Sequence, residues 1–239
     1  MKKLFILPLL LLIAFVGNAQ KTINDPNAQV RTVGSFHSIK VSGGIDLYLS
    51  SGAEAVAVSA REVEFRDRIK VEVENGVLKI GYEWKDMKGM VWSNNKGLKA
   101  YVSYKTLNLL SASGGSDVQV DGAIKTQDLV LNVSGGSDFK GAVETQTLRI
   151  NASGGSDVNV SGKTSSVKID ASGGSDFNGY SLEADTCVAD ASGGSDIHIT
   201  VNKELKADAS GGSDVLYRGS ASNINSNKSG GGSVKKTGR

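Results

Sequence analysis

Six aspartates, Asp117, Asp138, Asp157, Asp176, Asp196 and Asp214, recur at steps of 21, 19, 19, 20 and 18 residues. Each closes a Ser-Gly-Gly-Ser-Asp pentad, and a degraded seventh pentad follows as Ser229-Gly230-Gly231-Gly232-Ser233. If successive pentads stack, their carboxylates lie about 4.8 Å apart. Neighbours then repel by roughly 1 kcal/mol in water, and by roughly 3–4 kcal/mol at an effective dielectric of 20. Three arrangements relieve that cost. Each Asp can cap the glycine amides of its own corner as an Asx turn. A cation between turns can share the carboxylates, and calcium is the candidate because it takes oxygen ligands. Carbohydrate hydroxyls can line the same ridge. The known calcium-binding β-helix repeat has a period of about nine residues and a Gly-Gly-x-Gly-x-Asp pattern; this chain has neither, so no cofactor is required.

A second polar row precedes the glycines: Asn132, Asn151, Asp170, Asp190 and Asp208, continued by Asn227. A further candidate is the segment from Trp84 to Gly97, which holds both tryptophans, Trp84 and Trp92, with Met87 and Met90. It reads either as an aromatic contact loop for a sugar or partner or as a plug over one end of the fold. Catalytic chemistry is thin. His37 and His198 are the only histidines, and His198 falls at an outward strand position. No Ser-His-Asp set is apparent, every repeat looks alike, and a catalytic site needs one that differs. The expectation is no enzyme; the rival reading is a polysaccharide-processing enzyme. The single cysteine, Cys187, occupies a column otherwise held by Leu and Val and reads as a small buried apolar residue.

The elements that hold these rows follow from alternation. Around Ser153-Gly154-Gly155-Ser156-Asp157, apolar residues Leu148, Ile150 and Ala152 precede the glycines, and Val158 and Val160 follow them, every second residue. A period of two marks strands with one buried face, and the Gly-Gly pair supplies a sharp corner. Units of 18 to 21 residues are too short for a four-stranded propeller blade, lack leucine-rich spacing, and fit one turn of a parallel β-helix. The first half is less regular. Strands are expected at 36–41, 45–50, 55–60, 69–73, 77–82 and 99–105, with a helical turn at 62–68. Asn75-Gly76 is a tight-turn signal that serves either a hairpin or one more corner.

The bulk properties narrow the setting. Lys2 and Lys3, the apolar run from Leu4 to Val16 and the small residues Gly17-Asn18-Ala19 form an export signal over 1–19, too short for a membrane span. Without Lys2 and Lys3, 25 of the 27 basic residues remain against 25 acidic ones, which excludes a basic nucleic-acid binder. One cysteine cannot form an internal disulfide, so packing must supply stability. The expected organisation is a signal peptide at 1–19, an extension at 20–32, one continuous domain at 33–235 with a divergent half (33–110) and a repeat half (111–235), and a tail at 236–239.

The export signal, the opening Phe36-x-x-Ile39-x-Val41, the segment Asn75-Gly76-Val77-Leu78-Lys79-Ile80 and the repeated pentads resemble the auto-transporter adhesin head GIN domain family, a DUF2807-type group of Bacteroidetes. The resemblance covers about residues 33 to 235. It implies a right-handed single-stranded parallel β-helix in a periplasmic, cell-surface or secreted protein, and it carries over no catalytic residues. A membrane-barrel translocator is not seen after residue 239, so self-export is not expected. The combined expectation is an exported, non-enzymatic binding or adhesion module. Its partner would be a glycan or another cell-envelope component, or else it would be a calcium-stabilised surface structure.

Overall fold

In a computed structural model, residues 24–84 and 96–238 are described. In chain order the elements are β1 (Gln29–Arg31), β2 (Ser38–Ser42), β3 (Asp46–Ser51), β4 (Ala55–Ser59), α1 (Val63–Asp67), β5 (Ile69–Glu74), β6 (Val77–Tyr82) and β7 (Lys99–Tyr104). They continue with β8 (Leu109–Ser113), β9 (Val118–Lys125), β10 (Asp128–Ser134), β11 (Phe139–Ser153), β12 (Asp157–Ser172), β13 (Asp176–Ala191), β14 (Asp196–Ala209), β15 (Asp214–Arg218), β16 (Asn223–Lys228) and β17 (Ser233–Lys236).

From β8 onward the chain is a parallel β-helix with turns of about 19 residues. The long strands β11 to β14 each bend midway and form two sides of a turn. The part after the glycines pairs in one ladder and the part before the next glycines in another, both parallel. Equivalent residues therefore stack. Leu129, Leu148, Val167, Cys187, Leu205 and Ile224 form one inward column in strict register, fully buried up to Leu205. Burying each such aliphatic side chain contributes about 1.5–3 kcal/mol, and this repeated term replaces the missing disulfide. One apolar cluster runs from Phe36 to Val234.

On the other side, volume is traded along the strand. Phe139 is followed two residues on by Gly141, and Phe177 by Gly179, whereas the intervening turn uses Val158 and Val160. A Cβ on Gly141 would sit 2.9 Å from Phe139 Cζ, so the ring fills the space its glycine leaves.

The N-terminal half departs from sequential winding. β2 and β3 lie between the turn made by β6 and β7 and the turn made by β8 and β9. The chain runs from β3 out to the end of the stack and returns one layer further out before resuming at β8. At that end β4 pairs antiparallel with β7, β1 with β4, and β5 with β6. Asn75-Gly76 is thus a hairpin turn, with φ of 52° and 74° at its two residues, which settles the alternative left open by the sequence. The expected helical turn is α1.

Candidate functional site

The pentad corner is built by glycine and serine. The first glycine of each pair has φ between 64° and 80° in all seven copies, a region other residues avoid. It also approaches the turn before it: a Cβ on Gly154 would lie 3.1 Å from Gly135 N. The second serine of each intact pentad, Ser116, Ser137, Ser156, Ser175, Ser195 and Ser213, is completely buried. Ser175 Oγ lies 3.0 Å from the Ser172 carbonyl oxygen and 3.2 Å from that of Ala152, and it accepts the Ser172 N–H at 3.2 Å. Ser195 and Ser213 repeat the pattern. In the first turns the hydroxyl reaches across: Ser137 Oγ accepts Ser116 N–H and Ser116 Oγ accepts Ile45 N–H.

This corrects the Asx-turn expectation for the aspartates. Serine caps the corner, and four of the six carboxylates, those of Asp117, Asp138, Asp196 and Asp214, reach to the next turn. Asp117 Oδ1 accepts Asp138 N–H at 3.1 Å, Asp138 Oδ1 accepts Asp157 N–H at 3.2 Å, and Asp196 Oδ1 accepts Asp214 N–H at 3.1 Å. Asp214 Oδ1 in turn accepts the Ser233 hydroxyl. Asp157 and Asp176 are in register with Asp196 and Asp214. Burial, reinforced by Asp138 and Asp176, raises the Asp157 carboxyl above its usual range. Among the described residues, no three His, Cys, Asp or Glu side chains group as metal ligands would.

The second row sits half-buried on the strands before the glycines, interleaved with bases. Arg149 lies 3.3 Å from Asp170, while Lys168 bridges Asp170 at 3.1 Å and Asp190 at 3.3 Å. Those two carboxylates hold the Lys168 ammonium charged beyond its usual range. The amides of the row bond to one another: Asn151 Nδ2 donates to Asn132 Oδ1 at 2.6 Å, Asn132 Nδ2 to Ser111 Oγ at 3.1 Å, and Asn227 Nδ2 to Asp208 Oδ1 at 2.6 Å. Asn151, Asp170, Asp190 and Asp208 line an open groove of about 330 Å³ beside the corner serines. The two predicted rows flank the same corner without merging into one site.

Trp84 is half exposed, edge-on to Tyr82 with centroids 4.8 Å apart and with Lys96 Nζ 5.0 Å from its ring centroid. Trp92, Met87 and Met90 lie outside the described residues, as does the expected signal at 1–19. Cys187 is buried between Val167 and Leu205, and burial pushes its thiol up to about 12. His198 stacks on Tyr180 at 5.0 Å, and Arg218 lies 4.0 Å over the same ring. Sequence reasoning missed Tyr180 and Arg218. The signal available was the 20-residue step, which inserts Tyr180 into an otherwise regular turn.

The model of the family described as "Putative auto-transporter adhesin, head GIN domain" matches residues 35–221. The chain belongs to this family. Its fold recurs in solved structures. A "putative adhesin" from Bacteroides fragilis NCTC 9343 superposes with a TM-score of 0.80 at 21% identity, covering 88% of this chain and 96% of that one. A second, from Parabacteroides merdae ATCC 43184, gives 0.67 at 18%, covering 88% and 95%. A "putative lipid binding protein" from Parabacteroides distasonis ATCC 8503 gives 0.64 at 19%, covering 90% and 98%. A search of curated proteins finds no match. At these identities the shared feature of this head GIN domain and its structural neighbours is the fold. Among the described residues no helix is long and apolar enough to cross a membrane.

Proposed function

We propose that this head GIN domain is an exported, non-enzymatic adhesion module that holds a cell-envelope polymer along the flank of its repeats. The observation that carries the reading is the groove beside the corner serines, where each turn presents the same kind of polar group in register: Asn151, Asp170, Asp190 and Asp208. Adjacent bases at Arg149, Lys168 and Lys206 offset the acids. The groove therefore offers donors and acceptors at a fixed repeat distance rather than a concentrated charge. Repeated weak contacts on a rigid face add up through effective concentration, which suits an extended ligand with its own repeat. The family description supports the adhesive reading.

The test is pull-down of the protein on immobilised envelope polysaccharide, with Asp170→Ala/Asp190→Ala as the variant. Retention of the protein, loss in the variant and no new reducing ends are expected. Equal retention of the variant, or release of reducing sugar, overturns the proposal.

A further inference from the structure

We infer that the looser corner of the β-helix is a second binding site, one that takes an uncharged, hydroxyl-rich oligosaccharide. There the chain passes from the strand segment after the glycines to the segment before the next ones. An open groove of about 490 Å³ runs across several turns, lined by Thr126, Gln127, Thr145, Gln146, Ser165 and Asn202 among others.

Two features separate it from the groove beside the serines. The first is its unspent amides. Along the polar row of the other groove Asn151, and beyond the groove's ends Asn132 and Asn227, use their side chains on one another or on a neighbour. Here the threonines bond internally, Thr145 Oγ1 to Thr164 Oγ1 at 2.9 Å and Thr164 Oγ1 to the Ser166 carbonyl at 3.1 Å. Gln127 and Gln146 are exposed and bond through their backbones: the Gln127 carbonyl accepts Gln146 N–H and Thr147 N–H at 2.9 Å each, and the Gln146 carbonyl accepts the Thr164 hydroxyl at 3.3 Å. The side-chain amides of Gln127, Gln146 and Asn202 make no hydrogen bond to another described residue. An amide offers one acceptor and two donors in a plane, a match for adjacent hydroxyls that each give and take one hydrogen bond.

The second feature is charge cancellation. Along one wall Glu144, Lys163 and Glu183 follow one another in register and alternate in sign turn by turn, a series that Lys125, outside the lining, begins. Lys125 and Glu144 pair at 3.1 Å, and Asp185 pairs with Lys203 at 3.0 Å. Such a wall attracts neither a polyanion nor a polycation. Without an aromatic platform in the lining each contact is weak, and affinity must come from the several turns the groove crosses. The two grooves differ in chemistry, so one molecule could hold two different polymers. That bridging role rests on the adhesion reading above, whereas the second site does not.

The experiment is a titration of the full chain with maltohexaose and, separately, cellohexaose, read by the side-chain amide NMR signals. Saturable shifts in the millimolar range are expected at Gln127, Gln146 and Asn202 and not at Asn132 or Asn151. Gln127→Ala/Gln146→Ala should weaken binding about tenfold or more, from the loss of two amides' hydrogen bonds, with an unchanged melting temperature. Asp170→Ala/Asp190→Ala should leave it intact, even where that variant has lost envelope polymer. Absence of saturable shifts with both sugars overturns the second site, as does unchanged affinity in the glutamine variant. Stronger shifts at the same amides with polygalacturonate overturn the uncharged class.

Discussion

Replacing Ser175 by alanine tests the claim that serine, not aspartate, holds the corner. The hydroxyl has one proton, so it donates to either the Ser172 or the Ala152 carbonyl at any moment, and it accepts Ser172 N–H. Alanine removes one donated and one accepted bond at a completely buried site. At roughly 0.5–1.5 kcal/mol per bond the loss is about 1–3 kcal/mol. In a domain of this size about 2 kcal/mol lowers the melting temperature by roughly 4–8 °C. Because each turn of an array contacts only its neighbours, Ser195→Ala should cost a similar amount. Thermal unfolding followed by far-UV circular dichroism measures the global effect, and amide exchange at Ser172 localises it. The comparison is Asp176→Ala, one residue on, which removes an exposed carboxylate from a row of like charges and should cost less than either serine variant. The reasoning is refuted if Asp176→Ala is the more damaging substitution, or if Ser175→Ala melts within about 1 °C of the parent.

Three other outcomes follow from the packing and the charge rows. Gly179→Val should destabilise by about 1–3 kcal/mol, since a Cβ there would lie 2.6 Å from Phe177 Cζ. Adding Phe177→Val, which recreates the Val158/Val160 turn, should recover most of the loss in a double-mutant cycle of denaturation midpoints. Asp157 has a raised folded-state pKa, so the folded form holds its proton more tightly than the unfolded chain. Its contribution is fully present below the ordinary carboxylate pKa and is lost as pH rises through the raised value. Asp157→Asn should therefore gain melting temperature relative to the parent on going from about pH 4 to pH 6; a constant difference refutes it. Cys187, buried with its thiol pushed up to about 12, should resist alkylation at about pH 8 until denaturant is added. Prompt labelling of the native protein would contradict the buried assignment.

The corner shows how far the sequence could be read. Pentad spacing and alternation located the strands, the inward columns and the burial of Cys187, because period-two burial and a fixed repeat leave little freedom in a stacked array. The same pattern placed Asp157 and its counterparts on the surface. It did not show that Ser156 and its counterparts turn inward, since a serine beside two glycines is consistent with either face. The assignment depends on where the Ala152 and Ser172 carbonyls lie once adjacent turns are stacked.

What the sequence by itself determined is the local rule: strand, glycine corner, strand, repeated, with apolar residues facing in. That rule is encoded in neighbours along the chain. Only the tertiary structure decided three things. β2 and β3 slot between later turns, a non-local pairing that no spacing announces. The Asn75-Gly76 turn closes a hairpin because β5 pairs antiparallel with β6. Finally, the amides of Asn132 and Asn151 are consumed while those of Gln127 and Gln146 are not. Each depends on which backbone edge or side chain arrives alongside from another part of the chain, and sequence spacing does not contain that contact.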